Sequence, residues 1–342
     1  MNSRLLHSLF FVVLSVSSTL SAQTASSGSA PKSSGDSSNH PLSLTKLPEG
    51  VILVKGAWSS ASDSVTPVPE DGNVANGVFT DPYFGMRYPL PLNWIQEYEG
   101  PPPSESGRYV LAQVEPPDSD KKPVAGSILI TAQDMFFTPF PTANAQELTS
   151  YLRNHLQADY KVETELTQTN VAGRTFAFFA YWSPVAQLHW YVLATQIRCH
   201  AVQLVLTSRN VKLLDRLMLD LNTMKLPEDA SPTAGAGGGL VPRCIQDYVR
   251  DENVIRRVDP VFTEHRFNSV PVRIIIDKEG KVKHIHFISA FPDQARAISD
   301  ALEQWKFKPY QWNGQEVEVE TGVLFGRAPR TTTPSTTGSA VK

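Results

Sequence analysis

The sequence predicts an α+β fold laid out in two folded units, on three observations. Short runs of alternating apolar residues recur along the chain, separated by turn residues, as in antiparallel strands. Stretches of helical apolar spacing lie among these runs, in the manner of helices packed on a sheet. Pro227–Gly239 (PEDASPTAGAGGG) interrupts the pattern; it is rich in Gly and Ala and no apolar period crosses it, so it reads as a linker. A chain of 342 residues suits two modest domains. The expected division is 1–22, 23–50, 51–226, 227–239, 240–328 and 329–342.

Met1–Ala22 reads as a secretory signal. Arg4 and His7 precede the apolar core Leu9–Leu14, and Leu20-Ser21-Ala22 is a cleavage site ending in a small residue. The apolar run is shorter than the ~20 residues that span a bilayer, and Ser15, Ser17 and Ser18 dilute it. Cleavage near Ala22 and a periplasmic or secreted location follow; an uncleaved anchor in an inner membrane is the alternative. Segment 23–50 is dominated by Ser, Gly and Ala. It lacks the apolar surface to offset ordering entropy and is expected to be disordered, as is the Thr/Ser-rich tail 329–342.

The first unit runs from about Val51 or Gly77 to Leu226; Val51–Val54 suits a strand, and Ser59–Asn76 is loop-like. Phe84–Pro89 leads as a strand into a Pro-bounded turn before Trp94, and Pro101–Pro103 is a rigid connector. Tyr109–Val114 and Ser127–Ala132 are strands. Asn144 with Glu147 makes a capping box, followed by a helix carrying Leu148, Tyr151, Leu152 and Leu156. Val162–Gln168, Arg174–Trp182, Trp190–Ile197 and Val202–Thr207 are four more strands. Asn210 caps a last helix with Leu213, Leu214, Leu217, Leu221 and Met224 on its apolar side. Short turns between neighbours imply an antiparallel sheet.

The second unit begins as a hairpin. Val270, Val272, Ile274 and Ile276 alternate, Asp277–Gly280 turns the chain, and Val282–Ser289 returns. On the return strand His284 and His286 share one face, read as solvated. Pro292 starts a helix whose stripe is Ala295, Ile298, Leu302 and Trp305, ended ahead of Pro309. Asn313-Gly314 turns into a final strand with Val317, Val319, Thr321, Val323 and Phe325 alternating.

Residues 240–327 resemble the C-terminal domain of TonB-family energy transducers. The resemblance rests on Ile276–Val282 (Ile-Asp-Lys-Glu-Gly-Lys-Val), Ser289, the Ala-rich helix, Trp305–Pro309 (Trp-Lys-Phe-Lys-Pro) and Asn313–Val317 (Asn-Gly-Gln-Glu-Val). It implies a β-β-α-β domain, a periplasmic setting and pairing by strand addition with a peptide of an outer-membrane receptor. The Phe84-Gly85-Met86-Arg87-Tyr88-Pro89 opening with Trp94, and the closing helix after Thr207-Ser208, are similar to the PsbP-like fold. That resemblance implies a binding or assembly module with no fixed active site.

The candidate chemistry is sparse. A formal net charge of −3 gives no case for nucleic-acid binding. Cys199 and Cys244 are the two cysteines; export permits a bridge, but spacing does not say whether they are bonded. No Cys-x-x-Cys pair points to zinc. His284 and His286 lack a third ligand, with Asp293 a remote one. Cys199 and His200, as neighbours in a strand, point apart unless they lie in a turn. The aromatic residues Tyr181, Trp182, His189, Trp190 and Tyr191, with Met135–Phe137 and Phe140, read as core rather than a groove. Lys278, Lys281, Lys283, Lys306 and Lys308 are balanced by Asp277, Glu279, Glu316, Glu318 and Glu320 as a solvated face.

The resulting expectation is an exported, non-enzymatic binding or assembly protein with no cofactor and no metal. An exposed edge along Val317–Leu324, through Val317, Val319, Thr321 and Val323, is the expected partner-binding strand, pairing with a receptor peptide or a second copy. The rivals are a membrane-anchored energy transducer and a small-ligand carrier or enzyme using the aromatic first unit.

Overall fold

The computed structural model describes residues 52–53, 60–61, 66–98, 103, 106–117, 126–227, 241–263 and 268–326. The expected signal, the 23–50 segment, the linker beyond Pro227 and the 329–342 tail lie outside these residues, as do Val51, Val54, Pro101 and Pro102. The described chain is mixed α/β and mostly sheet, with three α-helices among the described residues.

Strands β1 (Ile52–Leu53) and β2 (Ser60–Ala61) pair antiparallel. Next come β3 (Asn73–Ala75), β4 (Val78–Asp81) and β5 (Met86–Pro89), a three-stranded antiparallel sheet. Asn76 and Gly77 turn β3 into β4 with φ of 52° and 70°, the geometry that makes Asn-Gly a hairpin dipeptide. The loop expected over Ser59–Asn76 is thereby corrected: β2 and β3 lie within it, and Asn76-Gly77 was the local signal for β3.

The chain continues through β6 (Ile95–Tyr98), β7 (Arg108–Glu115), β8 (Ser127–Asp134), α1 (Ala145–Asn154), β9 (Lys161–Val171), β10 (Arg174–Ser183), β11 (Leu188–Ile197), β12 (His200–Ser208) and α2 (Val211–Asp220). The seven strands form one antiparallel sheet in the order β6-β7-β8-β12-β11-β10-β9. Hairpin β9–β10 turns at Ala172 and Gly173, with φ of 51° and 81°. Asn144 Oδ1 accepts the Glu147 N–H at 2.9 Å, and Glu147 reaches back to the Ala143 N–H at 2.8 Å, which starts α1. Asn210 Oδ1 accepts the Lys212 N–H at 3.0 Å and starts α2. Helix α2 places Leu214 and Leu217, followed by Leu221 and Met224, against Ile130, Leu193, Leu204 and Leu206; Phe79 and Tyr88 join the same core. Helix α1 packs Leu148 on the other face with Met135, Ala194 and Ala201. The aromatic hairpin closes on itself: Tyr181 and Trp190 are paired across β10–β11 and stacked at 5.6 Å, with Tyr160 on Tyr181 at 5.3 Å.

The second sheet uses β13 (Arg243–Cys244), β15 (Val270–Ile276), β16 (Val282–Phe287) and β20 (Val319–Phe325), together with β1 and β2, in the order β1-β2-β16-β15-β20-β13. Strand β14 (Val254–Arg256) pairs with β17 (Lys306–Phe307), and β18 (Tyr310–Trp312) with β19 (Gln315–Val317) across Asn313-Gly314. Helix α3 (Pro292–Leu302) buries Ala295, Ile298 and Leu302 against Val272, Ile274, Ile285 and Phe287. Trp305 lies beyond the helix rather than on its stripe, and its Nε1–H donates to the Val258 carbonyl at 2.7 Å. Gly280, at φ +78°, tightens the β15–β16 turn, where a Cβ would stand 2.1 Å from the Phe307 carbonyl oxygen.

Three expectations are corrected. Residues 52–53 and 60–61 join the second sheet instead of the first unit, because β2 pairs with β16 at Ala61↔His286. The final strand breaks at Glu318, so Val317 ends β19 while Val319 opens β20. The edge expected along Val317–Leu324 is covered from Glu318 to Glu320. Strand β13 lies parallel to β20, with the Arg243 N–H on the Glu318 carbonyl (2.8 Å) and the Ile245 N–H on the Glu320 carbonyl (3.0 Å). Val317, Val319, Thr321 and Val323 are all buried. A strand with an apolar row against its own helix is drawn into the interior of the sheet, and here a short segment completes its far side.

Candidate functional site: a buried charge network between the two sheets

The outer face of the second sheet is where the sequence reading and the structure part most. Arg273 and Ile275 on β15, His284 and His286 on β16, and Glu320 on β20 are all buried. They face the end of the first sheet at which β8 stops and β12 begins. The solvated faces expected for His284, His286 and Glu320 are corrected, because a second layer packs there. Lys278, Lys281, Lys283, Lys308, Glu279 and Glu316 are exposed as expected.

Arg273 sits at the centre. Its Nε lies 3.0 Å from Asp134 Oδ2, and its Nη2 contacts both Glu320 Oε1 and the Tyr83 hydroxyl. The Tyr83 O–H donates to Glu320 Oε1 at 2.8 Å. Arg198 completes the pairing, with Nη2 on Glu320 Oε2 at 3.0 Å and Nη1 on the Tyr83 carbonyl at 3.3 Å. Its guanidinium also lies over the Tyr83 ring, 3.9 Å from the centroid. Two guanidinium groups thus meet two carboxylates, a balance that a buried site requires. Beside them, His286 Nε2 lies 3.1 Å from Glu70 Oε1.

Local sequence explains each placement. Asp81 ends β4, and its Oδ1 accepts the Phe84 N–H at 3.0 Å, curling the chain so that Tyr83 points into the interface. Arg198 opens the two-residue β11–β12 turn at φ +52°, which aims its side chain across the sheet end. Asp134 closes β8, and its Oδ1 accepts the Phe136 N–H at 2.8 Å. Gly322 lets the sheets approach, since a Cβ there would meet Phe136 Cβ at 2.6 Å.

Burial sets the protonation of the cluster. It pushes Asp81 up to about 7, against the Phe84 and Tyr83 amides that pull the other way. It also pushes Asp134 up to about 6, opposed by Arg273. His200, on the same turn as Arg198, is held well below its ordinary value by burial first and then by Arg273 and Arg198. It is therefore neutral, with Nδ1 3.4 Å from the Tyr83 hydroxyl and Nε2 3.6 Å from Asp134 Oδ2. Tyr83 and Tyr109 are raised by burial and stay protonated.

Between Val68, Tyr83, Arg273, His284, His286 and Glu320 lies a cavity with room for about one water molecule. The arrangement holds charge and joins two layers. Among the described residues no group of His, Cys, Asp and Glu is placed to hold a metal ion.

Cys199 and Cys244 are joined by a disulfide, with their Cα atoms 5.4 Å apart. The bond connects the β11–β12 turn to β13, so Arg198 and Cys199 reach the second sheet by a charge and a covalent bond in succession, while the His200 ring stays among Tyr83, Phe84 and Tyr109. Cys199 and His200 do lie at a turn, but the sulfur is bonded. Of the expected site residues, the two cysteines meet, while Val317, Val319, Thr321 and Val323 face their own core. Arg273, Glu320, Asp134, Arg198 and Tyr83 escaped sequence reading as a group. The available signal was Arg273 interrupting the apolar run Val270–Ile276.

These features define a mixed α/β chain in which two sheet systems share a buried ionic contact. No family model matches the chain, and no curated protein matches it. Among solved structures it is similar to the solution structure of cyanobacterial PsbP (CyanoP) from Synechocystis sp. PCC 6803, at 12% sequence identity and a TM-score of 0.32, over 46% of this chain and 96% of that one.

Proposed function

We propose that this chain is an exported, non-enzymatic binding or assembly protein made of a PsbP-like unit and a TonB-like unit. The partner is taken up by strand addition on the second sheet, and a peptide of an outer-membrane receptor is the class of partner the TonB-like segment implies. The observation that carries the reading is the Cys199–Cys244 bond, since disulfides persist in oxidising compartments and here one holds the two units in fixed relation.

Two measurements test this. Mass spectrometry of the native protein should find a mature start at Gln23 in the soluble exported fraction. A membrane-bound chain that keeps residues 1–22 would replace the reading with an anchored transducer. A peptide array of outer-membrane receptor plug segments should retain the chain above scrambled controls; equal retention removes receptor pairing.

A further inference from the structure

We infer that the Cys199–Cys244 disulfide is a redox latch that keeps the edge of β20 covered. The cover is small. Strand β13 has two residues, and backbone hydrogen bonds from the Arg243 N–H to the Glu318 carbonyl and from the Ile245 N–H to the Glu320 carbonyl tie it to β20. Strands that short do not persist without help. Help comes from the bond at Cys244, from Arg243 stacked 3.8 Å over the Trp312 ring, and from the Thr321 hydroxyl on the Gln246 carbonyl at 3.3 Å. Beyond Gln246 the chain has its own anchor: Tyr248 is buried and its hydroxyl donates to the Lys308 carbonyl at 2.6 Å. Freeing the cover therefore concerns residues 241–246 and leaves the rest of the sheet in place.

The two ends of the bond differ in access. Cys199 is fully buried, whereas Cys244 is exposed. An incoming thiolate thus attacks the Cys244 sulfur, and Cys199 leaves as a thiolate that takes up a proton. With a dithiol reductant, the second thiol attacks the mixed disulfide, releasing Cys244 as a thiol and leaving the reductant as its own disulfide. Two electrons and two protons pass to the protein. Glu320 couples the latch to the interface, because its backbone is covered by β13 while its carboxylate is held by Arg198, the residue before Cys199. Release of β13 uncovers a row of backbone groups on β20, the surface an added strand requires. Only this last point rests on the binding role proposed above.

Hydrogen exchange on the full chain, with and without dithiothreitol, tests the latch. After reduction, the Arg243 and Ile245 amides should exchange by local opening at least about tenfold faster than amides in the β15–β20 ladder, which still exchange only through global unfolding. Brief alkylation should label Cys244 ahead of Cys199. The Cys244→Ser variant should show the reduced pattern without reductant. Unchanged exchange at Arg243 and Ile245 overturns the inference; loss of protection throughout the second sheet also overturns it, since the bond would then be a staple of the fold. The receptor-plug array run on oxidised and reduced protein separates the two proposals. Opened amides with no gain in peptide retention keep the latch and remove the strand-addition role.

Discussion

Arg273 shows what a buried charge costs and what it secures. Its two carboxylate partners and the Tyr83 hydroxyl offset its desolvation, so the intact network contributes little net stability, yet removing one member leaves the others uncompensated. Arg273→Ala is expected to lose about 3–5 kcal/mol in urea unfolding, well above the effect of a surface arginine such as Arg250. Asp81 adds a pH signature. Its ordinary value is 3.8 and its folded value about 7, so between these the native chain holds a proton that the unfolded chain releases. Stability from Asp81 is present below about pH 4 and is lost as pH rises through 7, on the order of 4 kcal/mol in all. Asp81→Asn keeps the acceptor for the Phe84 N–H and should flatten that slope, read as the difference in unfolding free energy from wild type between pH 4 and pH 8. Asp134 acts with the same sign. His200 acts with the opposite one, since its folded value lies below 6.5, and its contribution is lost as pH falls below that.

Single elements obey local rules where their surroundings are ordinary. Helix α1 starts at Asn144 because its side chain satisfies the Glu147 amide. Asn144→Ala should cost about 1 kcal/mol by thermal or chemical unfolding without moving other elements. Strand β20 obeys a wider rule. Its Gly322 is required by the Phe136 side chain of the first sheet, and no turn demands it. Gly322→Ala is expected to cost about 1–3 kcal/mol through overpacking, and to speed exchange across the β15–β20 face near Phe136 more than in α3. The outermost strand β9 is long but carries two register breaks against β10, along with Lys161, Glu163 and Glu165, devices that blunt an edge. The opposite case is β20, whose edge is closed by pairing at Val319 and Glu320.

For the whole molecule, the disulfide and the ionic network act on the same joint. A bridge with a sequence separation of 45 restrains the unfolded chain by about 4 kcal/mol in the loop-entropy account. Reduction under native conditions should lower the unfolding free energy by up to that amount while the far-ultraviolet circular dichroism stays native. Reduced Arg273→Ala should be worse than either change alone, because both ties between the sheets are then cut.

The strands, helices and most turns follow from neighbouring residues alone. Alternation, Asn caps and Asn-Gly or Asp-x-x-Gly turns are local, so β7 to β12, α1, α2, the β15–β16 hairpin and α3 were all legible from nearby residues. A bridge was likewise permitted, because the cysteines were two. What lies against the outer face of the second sheet is set by long-range packing. His284, His286 and Glu320 alternate with apolar residues just as solvated residues do, and nothing within a few positions reveals that Arg198 and Tyr83 come from far along the chain to meet Glu320, Asp134 to meet Arg273, and Glu70 to meet His286. The covered edge of β20 is hidden for the same reason: a two-residue strand has no periodicity to read, and its place is set by a bond to a turn in the other sheet.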